Sequence, residues 1–235
     1  MAEFNGKTIL VVGAGGGIGS ATALAFSRAG AHVTAAGRSS DRLDRAAAAA
    51  NAEAAPLDFL DAAAVDAFFA KRGAFDHVVV AAAAVRPGSV ASLSLEDAHA
   101  AMESKFWGAY RVARAAQINE GGSLTMVTGV LARRPNPANT LLGAINGGLE
   151  ALVRGLALER APVRVNAVSP GMIDTPLYGR MPEENRKAMF AATAARLPTQ
   201  RIGQGEDVAA AILFVAGNPF VTGSTVMVDG GAAIA

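Results

Sequence analysis

Apolar and polar positions along this chain fall into two alternating rhythms. Short, nearly continuous apolar runs read as buried strands, and stretches with apolar residues at helical spacing read as helices. Thr8-Ile9-Leu10-Val11-Val12 is the first run, and Ser20 to Ala29 is the first helical stretch. Gly30 stops that helix, and Ala31 to Ala36 predicts the second strand. Gly37-Arg38-Ser39-Ser40 is a turn in which Ser39 or Ser40 can cap a helix from Asp41 to Asn51. Ala52 to Leu57 predicts a third strand, and Asp61 to Lys71 an amphipathic helix with Val65, Phe68 and Phe69 on one face. Val78-Val79-Val80, within Asp76 to Ala82, predicts the fourth strand.

The second half repeats the alternation. A long helix is expected from Leu95 to Ile118, a strand from Ser123 to Thr128 and a second long helix within Asn139 to Glu159. Gly143, Gly147 and Gly148 along that helix suggest close approach of another helix or a ligand. Val163 to Val168 predicts a strand ending at Ser169-Pro170-Gly171, Gly205 to Val215 a last helix, and Thr225 to Val228 a last strand. Between Asp174 and about Pro198 the chain turns polar, and this irregular insertion reads as a lid beside a site. The alternation argues a doubly wound α/β fold: a parallel sheet of about seven strands with helices on both faces. Residues 1–235 form one domain, without a repeat or a linker.

Gly13-Ala14-Gly15-Gly16-Gly17-Ile18-Gly19 joins the first strand to the first helix without a spacer. Glycines allow a tight turn and bring backbone close to a bulky anion, and the helix start offers free N–H groups and a positive dipole end to a pyrophosphate. After a buried strand and at a helix start, the string is a dinucleotide-site signal.

Composition removes several other chemistries. A net charge of +1 gives no basic field for nucleic acid, and the absence of cysteine excludes disulfides, thiolate metal sites and a cysteine nucleophile. His32, His77 and His99 lack metal-ligand spacing, so no metal site is expected. Glu3 and Lys7 precede the first strand, so a signal peptide is not expected, and no uncharged apolar run reaches membrane-spanning length. A soluble cytoplasmic protein without nucleic-acid or membrane partners is the expectation.

With these motifs in order, the chain resembles a short-chain dehydrogenase/reductase over nearly its full length. Gly13, Gly17 and Gly19 fit the family's Gly-x-x-x-Gly-x-Gly spacing. Arg164 to Gly171, followed by Asp174-Thr175-Pro176, is similar to the segment that closes over the nicotinamide. Thr222-Gly223-Ser224 and Val228-Asp229-Gly230-Gly231 resemble the family's C-terminal strand. The resemblance implies that Gly13, Gly15, Gly16, Gly17, Ile18 and Gly19 bind pyrophosphate and that Asp58 meets the adenine. It also places Ala81, Ala82 and Thr128 along the cofactor, with Pro170, Gly171, Ile173 and Thr175 at the nicotinamide end. An ordinary turn or cap acid is the other reading of Asp58. The second strand ends in Gly37-Arg38-Ser39, with a guanidinium and a hydroxyl but no acid, which favours the 2′-phosphate of NADP(H) over NAD(H). A solvated loop arginine is the alternative.

The same alignment fails at the chemistry. The family uses a serine after the fifth strand and Tyr-x-x-x-Lys on the next helix, with an asparagine on the preceding long helix. Here those positions carry Gly129, Leu142, Asn146 and Lys105, and Val80-Ala81-Ala82-Ala83 replaces the usual Asn-Asn-Ala-Gly. Leucine cannot transfer a proton. Lysine and asparagine are exchanged between the helices, so Lys105 is expected to supply charge near the nicotinamide ribose and Asn146 a hydrogen bond, unless Lys105 is a surface residue. Lys105→Met should then weaken NADP(H) binding. The string Lys105-Phe106-Trp107-Gly108 also resembles one in a divergent bacterial subgroup. Thr128, the Arg133–Arg134 pair and Tyr178 are further polar candidates.

Three functions fit. One is an NADP(H)-dependent oxidoreductase of the carbonyl/alcohol class with water, Lys105 or Tyr178 as proton donor, its small-molecule substrate unknown. Another is a catalytically inactive NADP(H)-binding sensor or assembly protein. The third is a non-redox enzyme on the same scaffold. Family members are commonly homodimers or homotetramers through the two long helices, and Phe106, Trp107 and Tyr110 suit that packing or a core role.

Overall fold

In the computed structural model, which describes residues 4–179 and 181–235, β1 (Thr8–Val12) runs into α1 (Gly17–Arg28) through the glycine turn alone. Glu3 and Arg180, which carry parts of the N-terminal and lid expectations, lie outside the described residues. The chain continues through β2 (His32–Gly37), α2 (Asp41–Ala49), β3 (Glu53–Pro56), α3 (Ala62–Arg72) and β4 (Phe75–Val80). It then passes through α4 (Leu95–Ala101), α5 (Gly108–Ala115), β5 (Ile118–Val127), α6 (Thr140–Glu159) and β6 (Arg164–Pro170). The last elements are α7 (Glu183–Ala194), α8 (Gly205–Gly217) and β7 (Thr225–Val228).

The seven strands form one sheet in the order β3-β2-β1-β4-β5-β6-β7, and each adjacent pair is parallel. This is the Rossmann-type fold expected from the alternation. Chain order reverses between β1 and β4, and in such sheets the crevice beyond the strands' carboxyl ends at that reversal takes ligands.

Strand alternation divides the core into two layers. Leu10 and Val12 pack with Val78, Leu124 and the inner faces of α3, α5 and α6. Ile9 and Val11 point the other way, to Phe26 of α1 and to Val208 and Ile212 of α8. Burial on both faces explains why the strands read as continuous apolar runs. Helix α6 is long and apolar enough to cross a membrane by length and composition. It instead lays Ile145, Leu149 and Val153 into the first core layer.

Three expectations need correction. The helix from Leu95 is not continuous to Ile118. A π-helical turn, Met102–Trp107, separates α4 from α5, and the Gly108 N–H bonds back to the Glu103 carbonyl. The helix ends at Ala115 because Arg160 caps it, its guanidinium donating to the carbonyls of Ala113 and Ala116. Ile118 belongs to β5, where it pairs with Phe75 ahead of a register shift to the main ladder at Ser123. Lastly, the segment after Asp174 is not wholly irregular, since it holds the 12-residue α7. None of the residues in α7 is fully buried, so it lacks the apolar periodicity that marks a core helix. Glu183 and Glu184 in its first turn and the Glu183–Lys187 pair support it locally.

Candidate functional site

The glycine turn lies at the carboxyl end of β1, at the reversal of strand order. Gly13 has φ +91°, and a Cβ there would fall 2.6 Å from the Ala82 nitrogen, so a side chain is excluded twice. A Cβ at Gly19 would run into the Gly13 carbonyl. These approaches wind the turn tightly against the chain leaving β4, where the Ala81 N–H also donates to Val12 O at 2.9 Å. Gly16 at the N-cap supplies no side-chain acceptor, and the first turn of α1 contains no acid. The N–H groups of Gly17, Ile18 and Gly19 therefore open α1 with nothing of the chain's own to neutralise the dipole. An anion fits that environment.

Arg38 is exposed at the end of β2, and among the described residues it makes no ion pair. The Gly13 and Ala14 N–H groups bond to Ala36 O, which ties the glycine turn to the same strand end. Ser40, not Ser39, caps α2 by accepting from Leu43 N–H at 3.3 Å, so Ser39 is not committed to the helix. Asp58 accepts from Leu60 N–H at 3.0 Å in the turn before α3, while Asp61 caps α3 itself. One Asp58 carboxyl oxygen is thus engaged within the turn. Ile173 is buried and bridges to Gly203. Pro170 ends β6, the Gly171 N–H donates to Val228 O at 2.9 Å, and a Cβ on Gly17 would lie 2.7 Å from the Thr175 side chain. The lid's first residues therefore lie directly over the start of α1.

Across the crevice, the π turn delivers Lys105 inward. Lys105 is only 8% exposed, and its Nζ donates to the Thr128 carbonyl at 2.9 Å. It is not a surface residue. Burial alone lowers its pKa from 10.5 to about 8. The Thr128 side chain is buried and its Oγ1 donates to Val168 O at 3.4 Å, so Thr128 meets Lys105 through its backbone. At Gly129 a Cβ would come 2.8 Å from Asn146 Nδ2, so the Asn146 amide fills the volume beside that glycine. Asn146 is 1% exposed and its Oδ1 has no partner among the described residues. Leu142 lies one turn earlier on α6, half-buried.

The other polar candidates are committed elsewhere. Arg133 pairs with the buried Glu150 at 3.1 Å, and Arg134 donates to Ala232 O at 2.9 Å. Tyr178 packs edge-on to Phe190, and burial followed by the Asp174 charge raises its pKa.

Ser104 was invisible as a site residue. Its hydroxyl donates to Ala84 O at 2.6 Å and accepts from Ala84 N–H at 3.2 Å, pinning the chain after β4 to the π turn. Only its position next to Lys105 could have pointed to it. A cavity of about 480 Å³ lies elsewhere, lined in part by Met172, Leu197, Arg201, Asp207 and Met227, and reaches neither the glycine turn nor Lys105.

A family model described as enoyl-(acyl carrier protein) reductase matches residues 13–233. The chain is 32% identical to a 3-oxoacyl-[acyl-carrier-protein] reductase, FabG, of Thermotoga maritima, over 99% of this chain and 100% of that protein. It is 34% identical to a cyclic-di-GMP-binding biofilm dispersal mediator protein of Escherichia coli K12, over 98% of each. A solved small-chain dehydrogenase in complex with NADPH superposes with a TM-score of 0.85 at 32% identity, covering 98% of this chain and 100% of that one.

Proposed function

From the chain's membership of the short-chain dehydrogenase/reductase family, a family of nicotinamide-dependent oxidoreductases, we propose that it is an NADP(H)-dependent oxidoreductase of carbonyl or alcohol substrates with an atypical active site. The carrying observation is the uncapped, acid-free start of α1 inside a glycine turn tied to the same strand end as exposed Arg38. In this reading the turn from Gly13 to Gly19 holds the pyrophosphate. Arg38 and Ser39 hold the 2′-phosphate, through charge-assisted hydrogen bonds that a ribose hydroxyl would not repay. Asp58 stands at the adenine, Ala81, Ala82 and Thr128 line the middle, and Pro170, Gly171, Ile173 and Thr175 shape the nicotinamide end. The NADPH complex of the structural relative supports the same cofactor.

When bound, the nicotinamide supplies or accepts the hydride, and orientation and electrostatics fall to the protein. Thr175, lying over Gly17, closes the crevice against water. The protein acts as a soluble cytoplasmic homodimer or homotetramer in this reading. Exposed Trp107 and Tyr110, stacked edge-to-face with centroids 5.6 Å apart, mark a helical face for that contact.

A second reading, a non-catalytic NADP(H)-binding sensor or assembly protein, is favoured by Gly129 and Leu142 at the positions aligned with the family's serine and tyrosine. The Escherichia coli relative named for binding cyclic-di-GMP gives that reading a second ligand to test. The deciding experiment pairs fluorescence titration with NADPH, NADH and cyclic-di-GMP with NADPH oxidation across aldehydes and ketones. Tighter binding of NADPH than NADH with turnover of at least one carbonyl is the expected result. Binding without turnover selects the second reading, and failure to bind either dinucleotide refutes both.

A further inference from the structure

Lys105 is a buried cation held by a neutral group. An ammonium has three N–H donors, and among the described residues Lys105 uses one, to Thr128 O. Directly beyond that carbonyl, at Gly129, lies the Asn146 amide, whose Oδ1 is buried without a partner. Ser169 Oγ, on the neighbouring strand, is likewise buried and unpartnered. Strand alternation turns Ser169 toward the α6 side, as it does Val165 and Ala167. The spare ammonium donors call for an acceptor and the orphaned Asn146 Oδ1 for a donor, and an oxygen that enters as a carbonyl and leaves as a hydroxyl supplies first one and then the other. The π turn adds a second argument. Such insertions concentrate at functional sites because they re-aim side chains, and here the insertion carries both Lys105 and the Ser104 that anchors the chain after β4.

We propose that Lys105 is the proton donor of this site, its ammonium hydrogen-bonding the oxygen of an aldehyde or ketone while Asn146 Nδ2, which faces Gly129, donates to the same oxygen. The proposal rests on the oxidoreductase reading above. Hydride from the reduced nicotinamide forms the new C–H bond, and the C=O π pair moves onto oxygen. That oxygen takes a proton from Lys105 Nζ as the N–H bond breaks. The products are an alcohol, an oxidised nicotinamide and a neutral amine, which solvent reprotonates. Tyr178 is the poorer donor, since it packs on Phe190 and its phenol is pushed up by burial and Asp174.

Burial brings the Lys105 ammonium to about 8, close to the pH at which a general acid works best. The charged groups on the elements around it are engaged or exposed. Glu103 pairs with Arg111, Glu150 of α6 with Arg133, and Asp97 of α4 with Arg86, while Glu96 and His99 of α4 are exposed. None of them contributes to the Lys105 shift.

The test compares the full-length protein with Lys105→Met and Lys105→Arg by NADPH titration, carbonyl reduction from pH 6 to 10, and NMR of ε-¹³C-labelled lysine in the free chain. In the wild type, reduction should fall as pH rises through about 8, and one lysine resonance titrating there should be missing from Lys105→Met. In place of the weakened NADPH binding expected from a ribose contact, Lys105→Met should bind NADPH as the wild type does and lose roughly 10²-fold or more in turnover. Lys105→Arg keeps the charge but cannot release a proton, so it should bind NADPH and stay as inactive as Lys105→Met. Rescue by arginine, undiminished turnover in Lys105→Met, or no lysine titrating near 8 each overturns the proposal. Loss of NADPH binding in Lys105→Met also overturns it, because the charge then serves the cofactor. A wild type that binds NADPH and reduces no carbonyl overturns the proton donor and spares the cofactor site, whereas failure to bind NADPH refutes the oxidoreductase reading itself.

Discussion

Replacing Lys105 with methionine should remove a destabilisation of the folded protein that is fully present at neutral pH and disappears in alkali. The folded chain binds the Lys105 proton with a pKa of about 8 instead of the 10.5 of the exposed side chain. At about 1.4 kcal/mol per tenfold in proton affinity, that gap is worth roughly 3 kcal/mol. The direction follows from proton counting. Between about 8 and 10.5 the unfolded chain holds more protons than the folded one, so raising the pH favours folding. Below about 8 the full penalty is present, and above 10.5 it is gone. Methionine fills a similar volume without the charge but leaves the Thr128 carbonyl unbonded, at a cost of about 1–3 kcal/mol that does not vary with pH. The lost hydrogen bond offsets much of that relief at neutral pH, while the change with pH comes from the Lys105 proton alone. Urea unfolding of both proteins at pH 7, 8.5, 9.5 and 10.5, read as the difference, should move by about 3 kcal/mol in favour of the wild type across the series. A difference independent of pH would refute the claim that Lys105 is buried as a cation.

Arg38→Ala should weaken NADPH binding by roughly tenfold to a hundredfold and leave NADH nearly unaffected, as expected for loss of a charge-assisted contact of about 1.5–3 kcal/mol; paired fluorescence titrations measure this. Gly13→Ala should destabilise the fold and abolish dinucleotide binding, because φ +91° and the Ala82 backbone at 2.6 Å both oppose a Cβ; thermal melting and NADPH titration check each part. Gly129→Ala should destabilise the protein on its own and do so less in an Asn146→Ala background, with a coupling of about 0.5–3 kcal/mol. Additive effects would show that Asn146 does not occupy that space. Trp107→Ala combined with Tyr110→Ala should shift the protein toward monomer in light scattering, since both rings are exposed on one helical face.

The strand pattern was readable because burial on both faces of a parallel sheet leaves continuous apolar runs. Thr8–Val12 falls at the expected residues for that reason, and Thr225–Val228 does so as a half-buried edge strand whose apolar run is broken by no polar residue after Thr225. What escaped depends on partners distant in sequence or on too little periodicity. The end of α5 is fixed by Arg160, from beyond α6, and no local signal announces that cap. A single π turn changes helical phase too briefly for spacing to reveal it. Helix α7 buries none of its residues fully, so its sequence resembles a loop. The place of the glycine turn between β1 and α1 was legible because its signal is local, whereas for Lys105 the sequence left a contact inside the site and a surface position both open, because lysine is usually exposed.

Lys105, Gly129 and Asn146 meet at the end of β5, and Gly129 and Asn146 depend on each other for space. Lys105 reaches Thr128 O, so a positive charge remains at the end of β5 although α6 carries an asparagine. The Asn146 amide is admitted beside β5 because residue 129 has no Cβ, and a serine there would meet Nδ2 at 2.8 Å. A serine at 129 alone would therefore displace Asn146, and a lysine at 146 would bring a second cation toward the one already held at Thr128. At an effective dielectric near 20, two such charges about 4 Å apart repel by roughly 4 kcal/mol.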